Sequence, residues 1–219
     1  EEQDDYAEES YRRAIKAQET GLYDNEIIPI EVKTRKDTIT FDNDEEPLKV
    51  KFEKIRQLKP AFKKDGTVTA ANASSIDDGA SALAVTSEAY AKDNGLKPMA
   101  KIIAHTSHAQ KPEWFTTAPT EAIKKVLKKA DMNVSDIDLF EINEAFSVVP
   151  LTSMKELNIP HDKVNVHGGA VSLGHPIGAS GARVLTTLIH ALKAKNKKYG
   201  LATLCIGGGE ANAMIIEML

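Results

Sequence analysis

A single cysteine, Cys205, stands in 219 residues. That scarcity excludes an internal disulfide framework and fits a reducing compartment. Long apolar runs are also missing: none approaches the ~20 residues needed to span a bilayer. There is no secretory apolar segment either, so a membrane is not an expected partner. A large excess of charge of one sign is absent as well. The 28 Lys and Arg against 32 Asp and Glu leave a formal charge of −4, which gives no basic footprint for nucleic acid. The chain also lacks an initiator Met, opening instead on Glu1-Glu2-Gln3-Asp4-Asp5. That opening reads as the acidic first turn of a helix, and suggests a fragment or a processed product.

The length allows a sizeable core and one or two domains, with no internal repeat and no low-complexity segment. Glu1 to Thr20 reads as an amphipathic helix with Tyr6, Tyr11, Ala14, Ile15 and Gln18 at helical spacing, stopped at Gly21. Glu26 to Val32 reads as a strand. Lys33 to Lys64 is charged and irregular, broken at Asp42-Asn43-Asp44-Glu45-Glu46-Pro47. After the small polar stretch Thr67 to Asp78, Gly79 to Thr86 is a buried strand candidate, and Glu88 to Asn94 a short helix closed by Gly95. Then come a strand (Ala100–Ala104), a helix (Thr120–Ala130), a strand (Ile137–Ile142), a helix (Glu144–Leu157) and a strand (Lys163–Val166). A helix over Gly178–Ala194 and two strands, Gly200–Ile206 and Ala211–Met218, complete the chain. Strands alternating with helices predict an α/β layered domain. The last pair, joined by Gly207-Gly208-Gly209, predicts an antiparallel edge hairpin.

Chemistry concentrates where proton-transferring side chains sit among glycines, because glycine lets backbone amides approach a ligand. His175 lies in Gly168-Gly169-Ala170-Val171-Ser172-Leu173-Gly174-His175-Pro176-Ile177-Gly178, just before a helix start that favours negative charge nearby. The other five histidines have ordinary surroundings. Cys205 ends an apolar run and meets three glycines; a thiol there suits general acid/base work because its pKa can be tuned either way. Asn143-Glu144-Ala145-Phe146 follows the strand-like Leu139–Ile142, where a side-chain amide can hold a water or a carbonyl oxygen. Glu141 and Glu144 lack the His and Cys partners of a metal site. Gly178-x-x-Gly181 lacks the strand–GxGxxG–helix context of a dinucleotide site. The lysines Lys49, Lys51, Lys54, Lys59, Lys63 and Lys64 form either a solvated face or a phosphate-binding rim.

In combination, Asn143-Glu144-Ala145-Phe146, Gly174-His175-Pro176 and Cys205-Ile206-Gly207 resemble the thiolase family, as does Gly66 to Ser74. Within it they resemble the short-chain acetyl-CoA acetyltransferases. The resemblance implies the five-layered αβαβα fold, with this chain supplying the second βαβαβαββ half. Glu1 to about Ser75 would be the remainder of the loop domain that binds CoA, Ile76 to about Pro98 the end of the N-terminal half, and Met99 to Leu219 the C-terminal domain. It further implies formation of acetoacetyl-CoA from two acetyl-CoA and the reverse thiolysis, with coenzyme A as substrate and no required cofactor. His175 would activate a nucleophilic cysteine of the first half, and Cys205 would move the α-proton. Asn143 would hold a water that completes one oxyanion hole with His175, and the Gly207 amide would serve the other. Ser74 would contact pantetheine, Tyr11 and Lys54 would lie near CoA, and Phe146 would line the acyl pocket. Tyr11, Ala70, Ala71, Ala73 and Val171 match positions that bind potassium in some members. A homotetramer in the mitochondrion or cytoplasm is the implied setting.

Two departures stand out. The only cysteine already fills the Cys-x-Gly motif, so the chain carries no acyl acceptor and is expected to be inactive without the missing N-terminal half. Glu210 and Ile206 stand where short-chain members often carry glycine and asparagine. Competing readings are a longer-chain 3-ketoacyl-CoA thiolase, a Cys-His hydrolase and a non-catalytic fragment. Trp114 to Pro119 favours the short-chain class over the first of these, and Asn143 argues against the histidine-pair chemistry of β-ketoacyl synthases.

Overall fold

Two opposed apolar faces on one sheet organise the chain. The computed structural model describes all 219 residues. Its four-stranded mixed sheet runs β3 (Ala100–Ala109), β6 (Glu210–Met218), β5 (Tyr199–Ile206), β4 (Leu139–Ile142). The first two neighbouring pairs are antiparallel, whereas β4 and β5 are parallel. Side chains alternate across a strand, so Phe140 and Ile142 of β4 face one side with Leu201, Ala211, Ala213 and Ile215. Helix α4 (Ala118–Ala130) covers that side with Ala122, Ile123 and Val126, and α5 (Val148–Leu157) adds Val149. Leu139, Ala202 and Ile216 face the other side, where α7 (Ser180–Ala194) packs Val184, Leu188, Ala191 and Leu192. The result is a three-layer αβα arrangement of mixed α/β class.

Helix α1 (Glu2–Glu19) lies outside these layers and reaches across to them. Acidic Glu2, Asp4 and Asp5 in its first turn and Lys16 in its last complement the helix dipole. Its buried residues are Tyr6, Ala7, Ser10, Ala14 and Ala17, so Tyr11, Ile15 and Gln18 lie only at the margin of the packed face. The small residues admit a close approach. At Gly168 a Cβ would lie 2.8 Å from both the Ala14 side chain and the Ser10 carbonyl, and its φ of +90° also favours glycine. The short helix α2 (Phe52–Ile55) docks on α1 through Arg12, whose guanidinium stands 4.6 Å from the Phe52 ring centre. A six-residue helix, α3 (Glu88–Asp93), closes at Gly95 as the sequence indicates.

Several expectations are corrected. The strand read over 26–32 is confined to β1 (Ile30–Lys33), and the segment read as irregular contributes its partner β2 (Thr38–Phe41). Gly79 to Thr86 is not a buried strand: it pairs with no strand of the chain and is mostly exposed. The stretch 144–147 is not helical. The Ser74 amide donates to the Ala145 carbonyl and the Ser147 amide to the Asn72 carbonyl, so this backbone bridges to 72–74 and α5 begins only at Val148. Lys163 to Val166 makes only two isolated parallel bridges, Val164 to Phe140 and Val166 to Gly168, because Asn165 turns left-handed at φ +46°. The β5–β6 hairpin is central rather than at an edge, since β3 flanks β6 and β4 flanks β5.

Gly200 of β5 faces α7 at close quarters: a Cβ there would stand 2.7 Å from Leu192 and 2.8 Å from Leu188. Overpacking of this kind typically costs about 1–3 kcal/mol. Gly200→Ala is therefore expected to lower the free energy of unfolding by that amount, seen as a lower denaturant midpoint with an unchanged slope.

Candidate active site

Parallel pairing of β4 and β5 brings their carboxyl ends to one edge of the sheet, the usual place for a ligand in such sheets. Ile142 pairs with Thr203, and the Asn143 amide donates to the Thr203 carbonyl at 2.9 Å. Asn143 therefore leaves β4 beside the end of β5, where Cys205 stands two residues beyond Thr203 and the hairpin turn with exposed Gly207 follows. His175 arrives from α6 (Ala170–Leu173) through Gly174, and its Nε2 lies 3.5 Å from Asn143 Nδ2. Asn143, His175 and Cys205 thus occupy one edge, although they come from three separate elements.

The His175 ring is fixed from behind. Its Nδ1 lies 2.6 Å from Ser180 Oγ, and that hydroxyl donates its only proton to the Pro176 carbonyl at 3.0 Å. Nδ1 must then be the donor, which leaves the Nε2 lone pair facing Asn143 and the site. Burial, and then the Arg183 charge, lower the His175 pKa, so the ring is neutral at pH 7. Burial acts oppositely on Cys205, pushing its thiol up to about 11. A thiol that stays protonated at neutral pH is a poor nucleophile and a proton donor.

The loop 72–79 crosses both neighbours. Ser74 Oγ donates to the Ala145 carbonyl at 3.1 Å, and the His175 amide donates to the Ser75 carbonyl at 2.9 Å. Asp77 sits where a Cβ on Gly174 would be, and Gly174 has φ +90°, so only glycine fits there. Phe146 meets Phe62 and Phe115 edge-on, with ring centres 5.9 and 6.2 Å away, so one aromatic wall draws on three separate segments. Ser74 and Phe146 thus join the site edge. Tyr11 is half-buried on α1 and Lys54 is exposed on α2 without an ion pair, and no hydrogen bond joins either to His175 or Cys205. The carbonyls of Ala70, Ala71, Ala73 and Val171 accept no hydrogen bond from the protein. A surface groove of about 760 Å³ beside Glu2, Thr67 and Leu151 holds none of these site residues.

Beneath the site lies Glu144, fully buried. It accepts from Tyr6 Oη (2.8 Å), Ser10 Oγ (2.7 Å), Asn165 Nδ2 (2.9 Å) and the Val171 amide (3.0 Å). Gly169 passes so close that a Cβ would lie 2.4 Å from the carboxylate carbon. A second buried carboxyl, Glu141, is raised to about 8 by burial, more than the Arg183 charge at 3.8 Å offsets. Glu26 is raised to about 7 by the same cause. Reasoning from sequence missed Arg183, Asn165, Phe62 and Phe115, and treated Ser180 only as part of a helix start. Their signals were weak: only Asn165 and Ser180 border glycine-rich turns.

Comparison with known proteins gives matches over nearly the whole chain. Residues 96–218 match the model for the thiolase C-terminal domain, and residues 1–89 that for the thiolase N-terminal domain. An acetyl-CoA acetyltransferase of Yarrowia lipolytica is 52% identical over 217 residues, covering 99% of this chain and 54% of that protein. The crystal structure of the Bacillus anthracis acetyl-CoA acetyltransferase superposes with a TM-score of 0.94 at 44% identity, over 100% of this chain and 56% of its own. A thiolase from Ascaris suum in complex with coenzyme A gives a TM-score of 0.90 at 42% identity, over 100% and 56%. The chain therefore spans about half the length of the curated relatives it matches.

Two measurements check the buried carboxyls. Glu144→Ala removes the acceptor that four donors share. Asn165 keeps the Ile142 carbonyl and Ser10 keeps Ser172, but Tyr6 Oη and the Val171 amide are left unsatisfied at about 1–3 kcal/mol each, and a buried cavity opens. The substitution is expected to lower stability by at least about 3 kcal/mol in urea titration. Glu144→Gln should cost about 1–3 kcal/mol, because either amide orientation sets its NH2 against a donor that cannot reverse, Asn165 Nδ2 or the Val171 amide.

The second measurement concerns pH. With raised pKa values, folded Glu141 and Glu26 hold protons that the unfolded chain has released, so stability falls as pH rises toward 8. Burial lowers His167 to about 4, which raises stability with pH, but only below the ordinary histidine value. His161, His175 and His190 are lowered by burial as well, so the histidines oppose the carboxyls weakly just above pH 6.5. From pH 6.5 to 8 Glu141 by itself should account for about 1.5 kcal/mol of lost stability. Glu141→Gln is expected to flatten most of that slope.

Proposed function

Because the chain belongs to the thiolase family, we propose that it carries the proton-handling half of an acetyl-CoA acetyltransferase. Such an enzyme interconverts two acetyl-CoA with acetoacetyl-CoA and free CoA. The observation that carries this reading is the pairing of Asn143 Nδ2 with His175 Nε2 at 3.5 Å, on the sheet edge where Cys205 is the penultimate residue of β5. In the cleavage direction, a thiolate attacks the ketone carbon of acetoacetyl-CoA. His175 Nε2 takes the thiol proton beforehand; once protonated, it donates with the Asn143-held water to the developing oxyanion. The carbon–carbon bond then breaks, and the Cys205 thiol gives its proton to the departing acetyl-CoA carbon. The Gly207 amide supports the thioester oxygen of that fragment. Free CoA, its thiol proton passing to the Cys205 thiolate, finally takes the acetyl group from the acylated thiol, whose departing sulfur recovers its proton from His175. The high Cys205 pKa supports its part as acid rather than nucleophile.

The accepting thiol is not among these 219 residues, whose only cysteine is Cys205. Glu1 to Ser75 would serve as the CoA-binding segment and Met99 to Leu219 as the catalytic domain. Lys51, Lys54, Lys59, Lys63 and Lys64 are exposed and unpaired, which suits the capture of CoA phosphates as point charges. Ser74 and Phe146 stand beside Asn143 where pantetheine and the acyl group would pass. The oxygen-only set of Tyr11 and the Ala70, Ala71, Ala73 and Val171 carbonyls fits a hard monovalent cation such as potassium. Bound there, the ion would brace the 70–73 loop. A mitochondrial or cytosolic homotetramer is the setting this reading adopts.

The test compares the 219-residue chain alone with the chain supplied with the remaining half of a related thiolase. CoA-dependent cleavage of acetoacetyl-CoA is expected only in the second case, and lost in His175→Ala or Cys205→Ser. In the complemented enzyme Lys54→Ala should raise KM for acetoacetyl-CoA several-fold with kcat little changed. Thioester hydrolysis without CoA, or acetyl transfer by the chain alone, would overturn the assignment of Cys205.

A further inference from the structure

We infer that Arg183 is a positioning residue for the Asn143–His175 pair, its guanidinium obliging the Asn143 amide to present Oδ1 to it and Nδ2 to the histidine. The side-chain amide of asparagine has two chemically different ends, and an isolated Asn143 could turn either one toward His175. A guanidinium has donors only. With Arg183 Nη2 3.5 Å from Asn143 Oδ1, the carbonyl end is committed to the arginine. The NH2 end is then left to face Nε2, which the Ser180 contact leaves as a lone pair. A donor must occupy that position if the amide is to hold a water or an oxyanion there, and a reversed amide would set two acceptors together.

The arginine itself is braced by acidic groups on every element around it. Glu141 on β4 stands 3.8 Å away, and Glu26 after α1 and Asp44 after β2 both feel its charge. None of them hydrogen-bonds to it: Arg183 Nη1 and Glu141 Oε1 are both buried without a partner. The one hydrogen bond that Arg183 makes through its guanidinium is therefore to Asn143. Ser180 and Arg183 lie three residues apart on α7, so one helical turn addresses both members of the pair: Ser180 sets the histidine tautomer and Arg183 the amide orientation. Burial keeps Glu141 and Glu26 protonated in good part near neutrality, so removing the guanidinium strands little negative charge and the fold should survive.

The mechanistic use of this arrangement rests on the acetyltransferase reading, but its geometry can be tested without turnover. In the 219-residue chain labelled with 15N at histidine and asparagine, Arg183→Met should raise the His175 pKa toward the ordinary histidine value and shift the Asn143 side-chain amide resonances. Arg183→Lys, which keeps the charge but not the planar fork, should leave the His175 pKa low while still shifting the Asn143 amide. In the complemented enzyme, Arg183→Met should lower kcat for acetoacetyl-CoA cleavage about 10–100-fold with KM changed less than twofold, and Arg183→Lys should recover only part. If Arg183→Met proves unfolded, the lysine variant alone decides between the outcomes. Unaltered Asn143 resonances in either folded variant overturn the inference. If the resonances move as expected but the complemented wild-type chain shows no CoA-dependent cleavage, the positioning stands and the acetyltransferase reading fails.

Discussion

The carboxylate of Glu144 is the constraint on which the rest depends. A fully buried carboxylate is tolerable only when its lone pairs are filled by donors, and the four that fill them come from three places. Tyr6 and Ser10 belong to α1, Asn165 to the turn beside β4, and Val171 to α6. A helix that begins at residue 2 is thereby bound to turns more than 130 residues away. The same carboxylate sets the composition around it. Gly169 has no side chain because the carboxylate fills that space, and the small residues of α1 let the Gly168 turn sit directly on the helix.

That anchoring fixes the site one residue earlier in the chain. With Glu144 held below, residues 145–147 bond to the 72–74 segment instead of beginning a helix, and Asn143 is left at the end of β4 with its side chain on the site edge. Asn165 strengthens this edge: its amide donates to the Ile142 carbonyl and accepts from the Ile142 amide, so a side chain completes the ladder where a further strand would otherwise run. The loop through Ser75 and Asp77 then lies against Gly174, and the His175 backbone is held between that loop and α7. Precise placement of the histidine depends on contacts spread from residue 6 to residue 180.

Much of this was legible in the sequence, for reasons that differ by element. Helices α1, α4 and α7 carry long apolar periodicity and terminate at glycine or left-handed residues, so their existence and extent are local properties. Asn143, His175 and Cys205 stood out because their glycine and strand-end settings are local too. Legibility ended where tertiary bonds overrule local preference. The helix-like run from Glu144 is claimed by a bridge to Ala73, and the strand-like run over 163–166 by the left-handed turn at Asn165. Gly79 to Thr86 has the composition of a strand but pairs with no strand of this chain. Arg183 carried no signal at all, because on a helix surface an arginine looks the same whether it meets water or an active-site amide.

Burial shapes the chemistry of this edge in a way no motif reveals. It disfavours whichever form of a group is charged, so one physical cause drives Cys205 and His175 in opposite directions: the thiol keeps its proton and the imidazole goes without its second one. The resting site therefore holds an acid and a base that are both uncharged. In the proposed reaction, charge appears only once substrate arrives, when His175 gains a proton and an oxyanion develops beside the Asn143 amide and the Gly207 backbone. Those dipoles are fixed in advance by β4, β5 and α7, and so need little reorganisation at the moment of reaction. Arg183 adds a permanent positive charge behind the pair. That charge keeps His175 a weak enough base to release its proton again, a requirement of any cycle in which the same nitrogen must accept and return it.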